Sequence, residues 1–461
     1  MAIIGAFIMP HPPVIIPAVG KGEESAIRET ADACERAAQE IAALHPDTIV
    51  VTSPHAELYA DYLHIAPGEH AEGSFEQFGA PDERFSFDCD TEFIAALTLE
   101  AKKRNLPAGT FGARNHPVDH GALVPLSFVN RAFRDYKLVR CSISGLGPLE
   151  HYRFGECVAA AAELLDRRTV LIGSGDLSHK LTPEGPYGFA KEGPVFDRQV
   201  TDAMKEADFL RFLSFDADFC EEAAQCGLSS FIILAGALDG RAVKTEFLSY
   251  EGPFGVGYAV CAYTPEGRDE TRRFGERFET AQRESLSDRR KDEDDYVRLA
   301  RLSLEAWVIE GRRASPPAGL PAELTERRAG VFVSLKKNGR LRGCIGTILP
   351  VQGSIAAEII RNAISAGSRD PRFDPVTEEE LPVLVYSVDV LGRSEPVESP
   401  EDLDPKRYGV IVRNEGHCGL LLPDLAGVDT AERQIKIALE KAGIAEDEPY
   451  ALERFEVVRH V

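Results

Sequence analysis

Residues 45–57 read HPDTIVVTSPHAE. Thr48 to Val51 form a short β-branched run of the kind that is covered on both faces of a sheet, and Pro54 closes it because proline has no N–H to give to a ladder. His55 follows at once, so the strand delivers its imidazole to the rim of the sheet. The first thirteen residues, MAIIGAFIMPHPP, repeat the arrangement: an apolar strand, Pro10, then His11. A third run, TVLIGSGDLSHK at 169–180, ends in Gly173 and Gly175, which let the backbone turn sharply before His179. Helical runs such as AAAELLDR (160–167) and EEAAQCGLSSFIILAGAL (221–238) alternate with these strands. That alternation predicts an α/β sheet, in which ligands bind outside the carboxyl ends of the strands, so three histidines converge on one rim.

Length and charge bound what such a rim serves. A chain of 461 residues exceeds what one core normally organises, so two domains are expected. A formal net charge of −23 disfavours nucleic acid and anionic membrane, leaving a small molecule or a protein as partner. No run of 18 apolar residues occurs, and the first segment lacks a basic region and is cut by His11, Pro12 and Pro13. Neither a membrane span nor a signal peptide is expected, and a cytoplasmic location follows as the expectation. Nine cysteines without a CxxC pair argue against a disulfide framework and against a structural zinc knuckle.

One compositional break divides the chain. Residues 1–264 carry the α/β pattern. Residues 265–292, within PEGRDETRRFGERFETAQRESLSDRRKDEDD, are dense in both charges and read as a solvated linker with some helical character. Residues 293–461 open with the helical spacing of DYVRLARLSLEAWVIEG and continue with AGVFVSLKKNGRLRGCIG, whose KNGR signals a hairpin. This second domain reads as α+β.

A lone loop histidine is ordinarily a surface group, but repetition at strand ends points to a site. Two neutral imidazoles and a carboxylate leave open positions on a non-haem Fe(II), where oxygen and a substrate both bind. His120, beside Asp119 in DHGALVPL (119–126), is placed in a Pro- and Gly-bounded loop as a fourth candidate. The third metal ligand is sought in DFCEEAAQCGLSS, where Glu221 or Glu222 offers a carboxylate and Cys226 a thiolate; a continuous helix would put 222 and 226 on one face.

The stretches IMPHPP, SPHAE, DHGALVPL, GSGDLSH and CGLSSFIILAGAL together resemble the class III extradiol ring-cleavage dioxygenases of the LigB type and the related Memo-like proteins, over roughly residues 1–262. The resemblance implies that His11 and His55 hold Fe(II), with copper or zinc as alternatives, that His179 is the catalytic base, and that His120 lines the substrate side. It also implies a catecholic or related small aromatic substrate. The dioxygenases supply a glutamate as third ligand and the Memo-like proteins a cysteine followed by glycine; here QCG matches the latter while Glu222 lies nearby.

In the second domain, RLRGCIGTI (340–348) places Arg342 and Cys344 among glycines, and SRDPRFDPV (368–376) adds Arg369, Asp370 and Arg372. Neighbouring arginines are expected to lower the pKa of the thiol, which suits a reactive cysteine or an anion site, against the plainer reading of a packed cysteine in an Arg/Asp network. With GLLLPDL (419–425) these strings resemble the AMMECR-type domain. His417, in EGHCGLLLP, is a weaker candidate to pair with Cys344. The fusion is similar to the AmmeMemoRadiSam grouping, which implies a radical S-adenosylmethionine protein as a partner.

Overall fold

The computed structural model describes every residue except Met1, Asn115, Asn338, Glu415 and Ala426. The chain forms two compact units, Met1–Ala281 and Gln282–Val461.

The first unit is built on a six-stranded sheet of β1 (Ile3–Met9), β2 (Thr48–Ser53), β3 (Lys137–Ser142), β4 (Thr169–Ser174), β5 (Arg241–Glu251) and β6 (Tyr258–Arg268), in the order β3-β2-β4-β1-β6-β5. The first four are mutually parallel, and β6 pairs antiparallel with β1 and with β5. Every residue of β2 and β4 is buried, as expected for β-branched and aliphatic runs that find apolar partners on both faces. Because β2, β4 and β1 are parallel neighbours, the residues following Ser53, Ser174 and Met9 emerge side by side at one rim.

Three helices matter at that rim: α1 (His120–Ala132), α2 (Ala217–Glu222) and α3 (Leu228–Ala237). His120 is thus not in a loop. Asp119 caps the helix by accepting the amide of Ala122, which makes His120 the first residue of the first turn. The run 221–238 is not one helix either. Ala224 takes φ +50°, a left-handed conformation that ends α2, and α3 starts only after Gly227. Residues 222 and 226 therefore share no helical face.

The charged stretch 265–292 is divided between the end of β6, a short 3₁₀ turn at Glu270–Arg272 and a helix, Phe274–Asp292. The second unit is α+β, with two four-stranded sheets whose pairings are all antiparallel. Its first hairpin joins Val331–Lys337 to Arg340–Thr347 with Lys337 opposite Arg340, and Gly339 takes φ +77° there; Asn338 of KNGR lies outside the described residues. The helices Asp295–Glu310 and Ile355–Ser368 lay Leu299, Leu304, Ile359 and Ala363 into the core of this unit.

A candidate metal centre at the carboxyl rim of the sheet

His11 follows β1 and is 2% exposed. Its backbone N–H donates to Asp176 Oδ1 at 2.8 Å, and its ring Nδ1 lies 2.9 Å from Ser174 Oγ. The hydroxyl of Ser174 has one proton, which goes to the carbonyl of Gly121. Nδ1 of His11 must therefore be the donor to Ser174, and Nε2 carries a lone pair. That lone pair faces Nε2 of His55 at 3.1 Å and Sγ of Cys226 at 3.7 Å.

The donor atoms of His11, His55 and Cys226 all fall within 4.8 Å of one another. Burial, then the neighbouring imidazoles of His55, His120 and His179, hold the His11 pKa well below its ordinary value. Burial likewise lowers His55. Two imidazoles of lowered pKa with their Nε2 atoms turned toward one another, beside a thiol, are a donor set that fits a divalent transition metal, and coordination is what would deprotonate the sulfur. Without an ion, burial pushes the Cys226 thiol up, and its Sγ accepts the Asp176 amide at 3.3 Å.

The other expected residues fall as follows. Glu221 and Glu222 are both exposed on α2. His120 lies over His55 with ring centroids 4.2 Å apart and a 32° tilt, and burial with the His55 charge takes its pKa down to about 4. His179 is half-buried, close enough for its charge to bear on His11, and its ring meets Tyr187 edge-on at 5.3 Å. Burial lowers its pKa, so it is neutral at pH 7 and can accept a proton.

Some groups at the rim escaped the sequence reading. Ser174 fixes the His11 tautomer. Asp176 is buried, its Oδ2 lies 3.9 Å from His11 Nε2, and burial raises its pKa to about 7. Ser53 donates to Asp119 and accepts the amide of His55 at 3.1 Å. The signal was present in GSGD and TSPH, but side chains two positions apart in such turns read as turn formers before they read as supports. A cavity of about 620 Å³ adjoins the centre, with His55 and His120 among its lining residues.

In the second unit the candidate residues form a different kind of cluster. The Cys344 amide donates to Asp370 Oδ2 at 2.9 Å, and Arg372 grips the same carboxylate through Nε at 2.9 Å and Nη2 at 2.7 Å. Arg342 is turned away, with Nε and Nη2 on the two oxygens of Glu380 at 2.9 and 2.8 Å. Arg369 is exposed at the end of its helix. The surroundings of Cys344 run against the expectation of a thiolate-rich sulfur. Burial raises its pKa, and the Ser334 hydroxyl at 3.2 Å and Arg372 do not offset it, because each arginine is already engaged by a carboxylate. His417 and Cys418 are exposed on the other sheet, and no described contact joins His417 to Cys344.

Comparison with known proteins agrees with this division. The family model described as the catalytic LigB subunit of aromatic ring-opening dioxygenase matches residues 5–261, and the AMMECR1 family model matches residues 297–460. A Clostridium acetobutylicum protein is 41% identical over 468 residues, covering 100% of this chain and 99% of that protein. A Thermotoga maritima protein is 49% identical over 170 residues, 36% of this chain and 98% of its own length. Among solved structures, a Pyrococcus horikoshii protein is similar at 33% identity over 36% of this chain and 88% of its own, with a TM-score of 0.34.

Proposed function

The chain belongs to the LigB family, with an AMMECR1 domain following, and from that premise we propose that its N-terminal unit is a mononuclear metal-dependent oxidoreductase acting on a small aromatic substrate with dioxygen. The observation that carries this reading is the approach of His11 Nε2, His55 Nε2 and Cys226 Sγ within 4.8 Å. These three residues would hold Fe(II), with copper or zinc as the other metals suited to a soft thiolate. When bound, the metal supplies open positions at which a catecholic oxygen and dioxygen meet.

The chain's own residues do the rest. Ser174 holds His11 in the tautomer that points Nε2 inward. His179, neutral because burial lowers its pKa, takes a proton from the substrate hydroxyl. His120 covers the approach to His55 and, with Phe78 edge-on at 5.4 Å, provides a wall for a flat ring.

A second reading is favoured by the third donor. The resemblance puts Cys226 in the place of the dioxygenases' carboxylate, which supports a Memo-like role in which the metal site serves a larger assembly, with a radical S-adenosylmethionine protein as the partner. Anaerobic purification, elemental analysis and oxygen uptake with catechols separate the two. One iron per chain with catechol-dependent oxygen consumption supports the oxidoreductase. A metal-loaded protein that consumes no oxygen with any catechol supports the assembly role.

A further inference from the structure

We infer that Asp197 is a positioning residue for His179: its buried carboxylate ties the loop that carries the histidine to the edge strand of the sheet. The inference rests on the oxidoreductase reading for what His179 does, and on the bonds of the loop for how it is held. Asp197 stands on the helix Glu192–Glu206 and is 1% exposed. Its Oδ1 accepts the backbone N–H of Ser178, the residue before His179, at 2.8 Å. Its Oδ2 accepts the hydroxyl of Tyr250, on β5, at 2.7 Å. Gly257 leaves room for this, since a Cβ there would stand 2.0 Å from Oδ2.

The other bonds that hold Ser178 and the His179 amide join neutral groups. Ser178 Oγ donates to the Ala223 carbonyl at 2.8 Å, the His179 amide to the same carbonyl at 3.2 Å, and the Gly257 amide to the Ser178 carbonyl at 2.9 Å. An amide side chain at 197 would accept the Ser178 N–H without the cost of burying a charge. A carboxylate there makes the bond charge-assisted, roughly twice as strong as a neutral one, and ties its strength to protonation.

The sign of that dependence follows from the surroundings. Burial raises the Asp197 pKa from 3.8 to about 7, against the Ser178 and Tyr250 bonds that lower it, and among the described residues no charge from the loop, from β5 or from the start of β6 bears on it. Tyr250 is the titratable group in contact, and burial with the Asp197 charge pushes that phenol up, so it stays protonated. Above pH 7 the carboxylate grips Ser178 at full strength. As the pH falls through 7 it takes up a proton, to which Tyr250 turns its hydroxyl as acceptor, while the fixed Ser178 amide is left on a neutral and weaker partner.

Two variants of the full chain test this. Asp197→Asn mimics the protonated form at every pH, so with iron loaded its kcat should fall about tenfold below the parent at pH 8, a part of what a positioned proton-transfer group supplies, and converge on the parent at pH 6 with iron content unchanged. Tyr250→Phe, at an exposed side chain, removes a donor to the charged form and should move the Asp197 step up to about pH 8. Nitrogen and proton shifts of the His179 ring in metal-free protein read that step without turnover, apart from the ring's own titration below 6.5 and from a step of Asp176, also raised to about 7, that neither variant moves. A parent-to-Asp197→Asn ratio that stays constant from pH 6 to 8, or a His179 step that Tyr250→Phe does not move, overturns the inference and leaves the metal reading intact. If Asp197→Asn does not fold, the Tyr250→Phe shift decides. If no catechol drives oxygen uptake, the oxidoreductase reading fails, and the ring shifts alone decide whether Asp197 positions His179.

Discussion

A Cβ placed on Gly175 would stand 2.2 Å from the Cα of Gly227. Two backbones thus touch where β4 ends and where α3 is about to begin, and this contact brings Cys226 to the rim, its Sγ 3.7 Å from His11 Nε2. Only glycine permits that approach at residue 175. Gly175→Ala should push the 223–227 turn outward and weaken metal binding by about tenfold or more, the usual cost of disturbing groups that orient ligands. Competition titration against a chromophoric chelator reads the change, and unaltered affinity in a folded variant would refute the role given to the contact.

The Ser174–His11 bond makes a second prediction. Ser174→Ala removes the acceptor that keeps the proton on Nδ1, so His11 loses its preference for the tautomer with a free Nε2. Metal affinity should fall by about tenfold to a hundredfold, the range for loss of a ligand's hydrogen-bond partner. Nitrogen chemical shifts of the labelled His11 ring should show a mixture of tautomers in the variant and one in the parent. A single unchanged tautomer in Ser174→Ala would show that Ser174 does not set it.

The strand ends were legible because the constraint there is local: an apolar run stopped by Pro10 or Pro54 puts the next side chain at the rim whatever the rest of the chain does. The proximity of His11 and His55 followed directly, whereas Cys226 stood beside Glu222 as an alternative and was preferred only through the resemblance of QCG to the Memo-like pattern. The break of the helix before Cys226 was not legible, since Ala224 is a good helix former, and its left-handed conformation accompanies a contact distant in sequence, that of Gly227 with Gly175. Arg342 shows the converse, for its nearness to Cys344 in sequence says nothing about Glu380, 38 residues on, which claims it.

The donor set can be read spectroscopically. If Cys226 ligates, oxidised iron or copper at the site gives a sulfur-to-metal charge-transfer band that Cys226→Ser abolishes, while Glu222→Gln, at an exposed position, leaves both the band and the metal content unchanged. Loss of metal in Glu222→Gln with a silent Cys226→Ser would identify an ordinary two-histidine, one-carboxylate site and require the 217–227 segment to rearrange on loading.

His179 should separate binding from turnover. It is neutral at pH 7 and lies beyond the His11–His55–Cys226 cluster, so His179→Ala should keep its metal and lose oxygen consumption by about a hundredfold or more. His120→Ala should raise the KM for the catechol more than it lowers kcat, because that ring covers His55 without being one of the three donors. Metal loss in His179→Ala would make it a ligand.

The last prediction concerns acid stability of the second unit. Burial pushes the Glu380 carboxyl up, but Arg342, the Thr377 amide and Lys337 outweigh burial and hold it at about 2, below its ordinary 4.5. A depressed folded-state pKa means that its contribution is complete above pH 4.5 and is lost as the pH falls from there toward 2. Glu380→Gln should cost about 2 kcal/mol at pH 7, since it leaves Arg342 with its charge unpaired in a largely buried setting, and the gap from the parent should narrow through that acid window. Trp307, the one tryptophan of the chain, packs against the core of this unit, so its fluorescence during urea unfolding at pH 7, 4 and 3 reports on it selectively. A difference that stays constant from pH 7 to 3 would mean that the Arg342–Glu380 pair does not control the acid limb.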